Sequence, residues 1–223
     1  MMTINAQNSH SDCNELDHLI VAAETLQQGS AYIHELLGVL PTPGGQHRTM
    51  GTHNMLVKLG SKCYLEIIAI DPTQSPPARR RWFGLDQTNV HQLCKVRPRL
   101  LHWVARTPKI KTFCQASATF LGPPQPMQRG QLQWQITIPA DGSLPFGGLF
   151  PSIIQWQTGE HPAGQLPDQG CRLVTLEATC PDPDPIYRTL TEYRLNHLIN
   201  LHKGSDTRIK ATINTPDGMR VLQ

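Results

Sequence analysis

Three residues with chemistry to offer sit in apolar surroundings: His18 in LDHLIVAA, Glu66 in YLEIIAI and His102 in LLHWVAR. An ionised carboxylate in a frame like that of Glu66 is costly to bury unless it is paired or bound to a cation, so it calls for a partner. Two imidazoles and one carboxylate form the facial triad that holds divalent iron, and the same set suits zinc, manganese or nickel. A lone strand histidine is more often a satisfied core residue, and Glu66 alone has a simpler solution in a nearby arginine. The metal reading therefore depends on the elements that bring the three together.

Those elements repeat. LLHWVARTPKIKTFCQASATFLG lies over LDHLIVAAETLQQGSAYIHELLG without a gap, carrying Leu16, His18 and Gly38 onto Leu100, His102 and Gly122, a shift of 84 residues each time. Each copy reads as a strand, an amphipathic helix closed by glycine, an extended connection and two further strands. If the connection supplies a strand, both copies are βαβββ modules, over 15–72 and 99–162. Side by side, their first strands bring His18 and His102 together with Glu66 in reach. GGLFPSIIQW, the counterpart of the Glu66 strand, offers Ser152 in place of the glutamate. An alternative alignment uses RLVTLEATC and places Glu177 there, completing a His-Glu-His-Glu set. The first is preferred because GGLFPSIIQW follows GQLQWQITIP after only a loop. Residues 1–14 read as a disordered segment, 73–98 as a Pro/Arg-rich linker, and 163–223 as an extension or incomplete third module with a helix (PIYRTLTEYRL) and a β-hairpin turning at Pro-Asp-Gly.

With 223 residues and 39% hydrophobic content the chain can build a sizeable core, while 19 prolines and 17 glycines point to many tight connections. A net charge of +3 with one basic run, Arg79-Arg80-Arg81, argues against nucleic acid as a partner, and the run reads as a solvated loop. Six scattered cysteines without a CxxC pair argue against structural zinc and for a reducing compartment, with Cys63 and Cys114 in the core. No secretory signal or membrane-length apolar run is present, so a cytoplasmic protein is expected. There is no GxSxG, phosphate-binding loop or dinucleotide fingerprint.

GGQHRTMGTHN adds His47, His53 and Asn54; at glycine-rich bends such residues polarise a carbonyl, shuttle a proton or satisfy the loop backbone. His53 is the candidate acid/base beside Glu66, and Asn54 and His161 are candidate substrate contacts. The leading expectation is a metal-dependent enzyme acting on a small oxygenated molecule. The competing one is a metal-free binding protein whose cleft is lined by Trp82, Phe83, Trp103, Trp134 and Trp156. An exposed sheet edge leaves a homodimer open.

LDHLIVAA, LGVLPTPGGQHRTMGTHNMLVKLG, YLEIIAIDP, RRRWFGLD, LLHWVART and PSIIQW followed by HP resemble the glyoxalase-like members of the vicinal oxygen chelate superfamily. The resemblance implies an α+β fold in which paired βαβββ modules form a curved mixed sheet around a cleft. It also implies a divalent metal held by first and last strands, with His18, Glu66 and His102 at ligand positions, and isomerase, lyase or dioxygenase chemistry. Ser152 departs from the usual fourth carboxylate, and some members of the superfamily sequester ligands without metal.

Overall fold

The run LDHLIVAA is an interior strand because it is apolar on both faces, and a strand in this position must be covered twice. A computed structural model describes residues 13–157 and 160–223; most of the segment expected to be disordered, 1–14, lies outside the described residues. The first module comprises β1 (Glu15–Ala22), α1 (Leu26–Leu37), β2 (Thr42–His47), β3 (Thr52–Lys58) and β4 (Tyr64–Ile70). The second comprises β5 (Arg99–Arg106), α3 (Ile110–Leu121), β6 (Pro124–Arg129), β7 (Leu132–Thr137) and β8 (Ser152–Trp156). They share one eight-stranded sheet in the order β2-β3-β4-β1-β5-β8-β7-β6. It is curved so far that its two edge strands, β2 and β6, approach each other.

Side-chain alternation assigns the two faces. Leu19, Val21, Ile67, Trp103, Ala105 and Ile153 point outward into a core shared with α1 and the C-terminal segment. Ile20, Ile68, Val104, Ile136 and Ile154 point into the concave side. α1 starts where the Thr25 hydroxyl accepts the Gln28 N–H at 3.1 Å and stops at Gly38, whose φ of 73° is the left-handed cap glycine adopts freely. Its Gly29 lies on Ile67, where a Cβ would fall 2.4 Å from the isoleucine Cγ2.

The segment read as a linker is more structured than expected. It contains α2 (Thr88–Val96), and of the run expected to be solvated only Arg80 is exposed, while Arg79 and Arg81 are tied down. Arg79 donates to the carbonyls of Ile138 and Pro139, and Arg81 pairs with Asp86 at 2.6 Å. These anchors drive Trp82 and Phe83 into the concave core, Phe83 at a left-handed φ of 56° that costs a non-glycine residue about 1–2 kcal/mol.

After a short helix, α4 (Pro162–Gln165), come β9 (Arg172–Cys180), α5 (Asp184–Glu192), β10 (Asn200–Lys203), β11 (Arg208–Thr215) and β12 (Gly218–Leu222). Their element order is that of a module, but the pairing is not. β9 pairs in parallel with β10, the strand directly after its helix, and a β11–β12 hairpin covers its other edge. Leu176, Ala178, Ile209 and Ile213 of this second sheet belong to the outer core. Among the described residues no helix is long and apolar enough to cross a membrane.

Candidate functional site

The pairing of β1 with β5 puts Leu19 opposite Trp103, so the 84-residue shift acts as a local twofold: His18 faces Val104 as His102 faces Ile20. The next strands follow suit, with Ile20 opposite Glu66 in one module and Val104 opposite Ser152 in the other. Ser152 thus holds the register position of Glu66, as the contiguous alignment expected. The two halves nonetheless differ in chemistry.

In the first half, Glu66 is 5% exposed. Its Oε1 accepts the Asn54 side-chain amide at 2.6 Å, its Oε2 lies 3.4 Å from His18 Nε2, and His47 Nε2 is 3.9 Å from Oε1. His18 stacks on Tyr64 with ring centroids 4.6 Å apart, and its Nδ1 donates to Asp17 Oδ1 at 2.6 Å. Adjacent strand residues normally point to opposite faces. Here the register between β1 and β5 slips between Leu16 and His18, and the bulge at Asp17 turns its carboxylate alongside the imidazole.

Asp17 is fully buried, and its Oδ2 accepts Trp156 Nε1 at 2.9 Å and His161 Nε2 at 3.0 Å. Burial alone would raise its pKa. The hydrogen bonds from His161 and His18, with their charge, outweigh that and hold the carboxyl far below the usual range. His18 is therefore held by a permanent carboxylate on one nitrogen and faces Glu66 with the other. An Nε2 to Oε2 approach of 3.4 Å is attractive when a proton or a cation lies between the two. Burial lowers the His47 pKa to about 4 against the pull of Glu66, with Arg129 lowering it further, so this ring is a neutral acceptor.

In the second half, both nitrogens of His102 are engaged. Nε2 accepts the Ser152 backbone N–H at 3.0 Å, leaving Nδ1 to donate to the Gly148 carbonyl at 3.2 Å. Phe83 lies against its ring at 5.6 Å, and burial lowers its pKa to about 3. His102 is thus a satisfied core histidine and does not join the other two proposed ligands. Glu177 is on β9 in the other sheet, bound to Lys210 at 2.8 Å with His202 at 3.7 Å. The expected donors do not converge, and among the described residues no group of three or more fits a metal. The residues present do not fit a chelated divalent ion, and no chemical step is routed through one.

His18, His47, Asn54, Tyr64, Glu66, Trp82, Phe83, Arg129, Trp134, Ile136, Ile154 and Trp156 line one pocket on the concave face. Besides His102 and Glu177, three expected site residues are elsewhere. His53, one residue from Asn54 and so on the other side of β3, faces Asp71 at 3.9 Å. Trp103 is on the convex side, its indole N–H on the Leu149 carbonyl at 3.2 Å. His161 stands behind the pocket, capping α4 and supporting Asp17. Sequence reasoning missed Asp17 and Arg129. A charged neighbour of His18 inside an apolar run was a signal for the first. The second needed the closure of the sheet.

A family model described as glyoxalase-like domain matches residues 16–193. No curated protein sequence is detectably similar. Among solved structures, a hypothetical protein from Staphylococcus aureus is similar in fold, with a TM-score of 0.64 at 12% identity over 94% of this chain and 99% of that one. Methylmalonyl-CoA epimerase from Mycobacterium tuberculosis aligns with a TM-score of 0.41 at 15% identity over 70% of this chain and 95% of its own, too weak a likeness to carry an argument about chemistry. Two βαβββ modules sharing one curved sheet, together with a family match across most of the sequence, place this chain in the glyoxalase-like domain family of the vicinal oxygen chelate superfamily.

Proposed function

We propose that the protein is an enzyme that moves a proton on a small oxygenated substrate, as an isomerase or epimerase does, from the first-module half of the cleft. The observation that carries this reading is Glu66, a buried carboxylate on a pocket wall between His18 Nε2 at 3.4 Å and the Asn54 amide at 2.6 Å. In the reaction a C–H bond beside a carbonyl breaks, its proton passes to Glu66, and its electron pair becomes an enolate. His18, held by Asp17, returns a proton to carbon or to the enolate oxygen. Aromatic walls exclude water from that exchange. Divalent metals are common in the superfamily, and a metal-dependent lyase or dioxygenase would need a ligand set that Ser152 and the engaged His102 do not supply.

The test is solvent exchange. Incubated in D₂O with a panel of small ketones, oxo acids and acyl thioesters, the protein is expected to exchange the carbon-bound proton of at least one, followed by NMR. Glu66→Gln should slow that exchange by at least about a hundredfold, and a substrate exchanged equally by this variant overturns the assignment. The rings of Trp82, Phe83, Trp134 and Trp156 on the pocket wall favour a second reading, a binding protein without catalysis; binding of panel members with no exchange of any supports it instead.

A further inference from the structure

The pocket contains hydrogen-bond donors that nothing in the protein answers. Arg129, the last residue of β6, reaches across the seam where the sheet edges meet, and its Nη1 donates to Asn54 Oδ1 at 2.9 Å. Among the described residues it has no carboxylate partner, so most of its five N–H groups are uncommitted. The Asn54 amide stands between opposite charges, accepting from Arg129 and donating to Glu66 Oε1 at 2.6 Å. Arg129 is half-buried and Glu66 buried, and opposite charges this near would otherwise close on each other. The interposed amide keeps both for a ligand.

The second donor is Trp82 Nε1, buried in a residue only 3% exposed and without a partner among the described residues. An orphaned buried N–H of this kind carries a penalty of about 1–3 kcal/mol and asks for an acceptor. Trp82 is on the same pocket wall, edge-on to His47 with ring centroids 4.9 Å apart. Around these donors the wall is Ile136, Ile154, Trp134 and Trp156, enclosing only about 20 Å³, so a ligand must be small and the wall must part to admit it and to uncover the Trp82 N–H. Arg129 also lines the outer groove, where Arg48 is a second cation and Glu160 the acidic residue. It therefore stands at the passage between groove and pocket.

We infer that the substrate is a short oxo acid whose carboxylate is held by the Arg129 guanidinium and the Trp82 indole N–H, with its acidic carbon presented to Glu66. This rests on the proton-transfer reading, because it names the substrate class for that pocket. Guanidinium suits a carboxylate through paired, charge-assisted N–H bonds, and a fixed positive charge stabilises the enolate that forms beside it.

Binding without turnover tests it. Isothermal titration of the full chain with oxo acids from pyruvate to 2-oxopentanoate, and with the corresponding neutral amides, is expected to favour the acid at least about tenfold for one or more members. Arg129→Gln should weaken acid binding by at least about tenfold with little change for the amide, Arg129→Lys should recover part of the loss, and Trp82→Phe should weaken binding severalfold. Glu66→Gln should bind the acids at least as tightly as the native chain while losing exchange. Equal affinity for acid and amide across the panel, or acid binding unchanged in a folded Arg129→Gln, overturns the inference. Acid binding with no exchange counts against the catalytic reading alone, and exchange of neutral ketones without preference for acids counts against this inference alone.

Discussion

The Asp17 carboxylate fixes His18 with one oxygen and gathers two further donors, Trp156 and His161, with the other. Its role is positional: it sets the tautomer and direction of the imidazole that faces Glu66. In Asp17→Asn, an amide nitrogen meets donors that need acceptors, so at least one buried N–H loses its partner. The expected result in urea unfolding is a loss of about 1–3 kcal/mol, with proton exchange slowed in the fraction that still folds. Native-like stability in this variant contradicts the network. Legibility was uneven at this scale. His18 and Glu66 stood out as polar residues in apolar strands, whereas the pairing of Asp17 with His18 depends on a bulge that alternation cannot foretell.

Among the elements, the glycine pair at positions 44 and 45 explains why β2 bends as it does. A Cβ on Gly44 would fall 2.1 Å from Asn54 Oδ1, and one on Gly45 would fall 3.0 Å from Arg129 Cδ, at a φ of 149° that side chains rarely adopt. The pair leaves room for the Arg129–Asn54–Glu66 chain where β2 and β6 meet. Gly44→Ala is expected to displace the Asn54 amide, costing about 1–3 kcal/mol by overpacking and weakening oxo-acid binding to the level of Arg129→Gln. Calorimetry and titration of the same sample check both, and unchanged binding removes Gly44 from the argument. The modules themselves were readable from hydrophobic periodicity and the 84-residue repeat. The pairing of β9 with β10 was not, because a strand's sequence shows which face it buries without naming the neighbour it pairs with.

For the whole molecule, a near-symmetric scaffold holds an asymmetric site, and both halves carry neutral buried imidazoles. The pKa of His47 falls from 6.5 to about 4 and that of His102 to about 3, in each case first through burial. Below pH 6.5 the unfolded chain takes up protons that the folded one refuses, so stability is full above that pH and falls as pH drops towards the folded values. Each imidazole contributes a slope of ~1.4 kcal/mol per pH unit in that window. Urea unfolding between pH 7 and about 4.5 should reveal it, and His102→Gln should remove roughly half. A flat profile contradicts the burial of both rings. The sequence by itself determined the strands and helices of the two modules, their duplication and the two polar residues that matter most, since these are local patterns of hydrophobicity and residue type. Only the tertiary structure decided that His102 is sealed against Ser152 and Phe83, that Trp82 enters the pocket and that Arg129 completes it. Those outcomes depend on how the linker is pinned and how the sheet closes, bringing together residues far apart in the chain whose meeting no local pattern encodes.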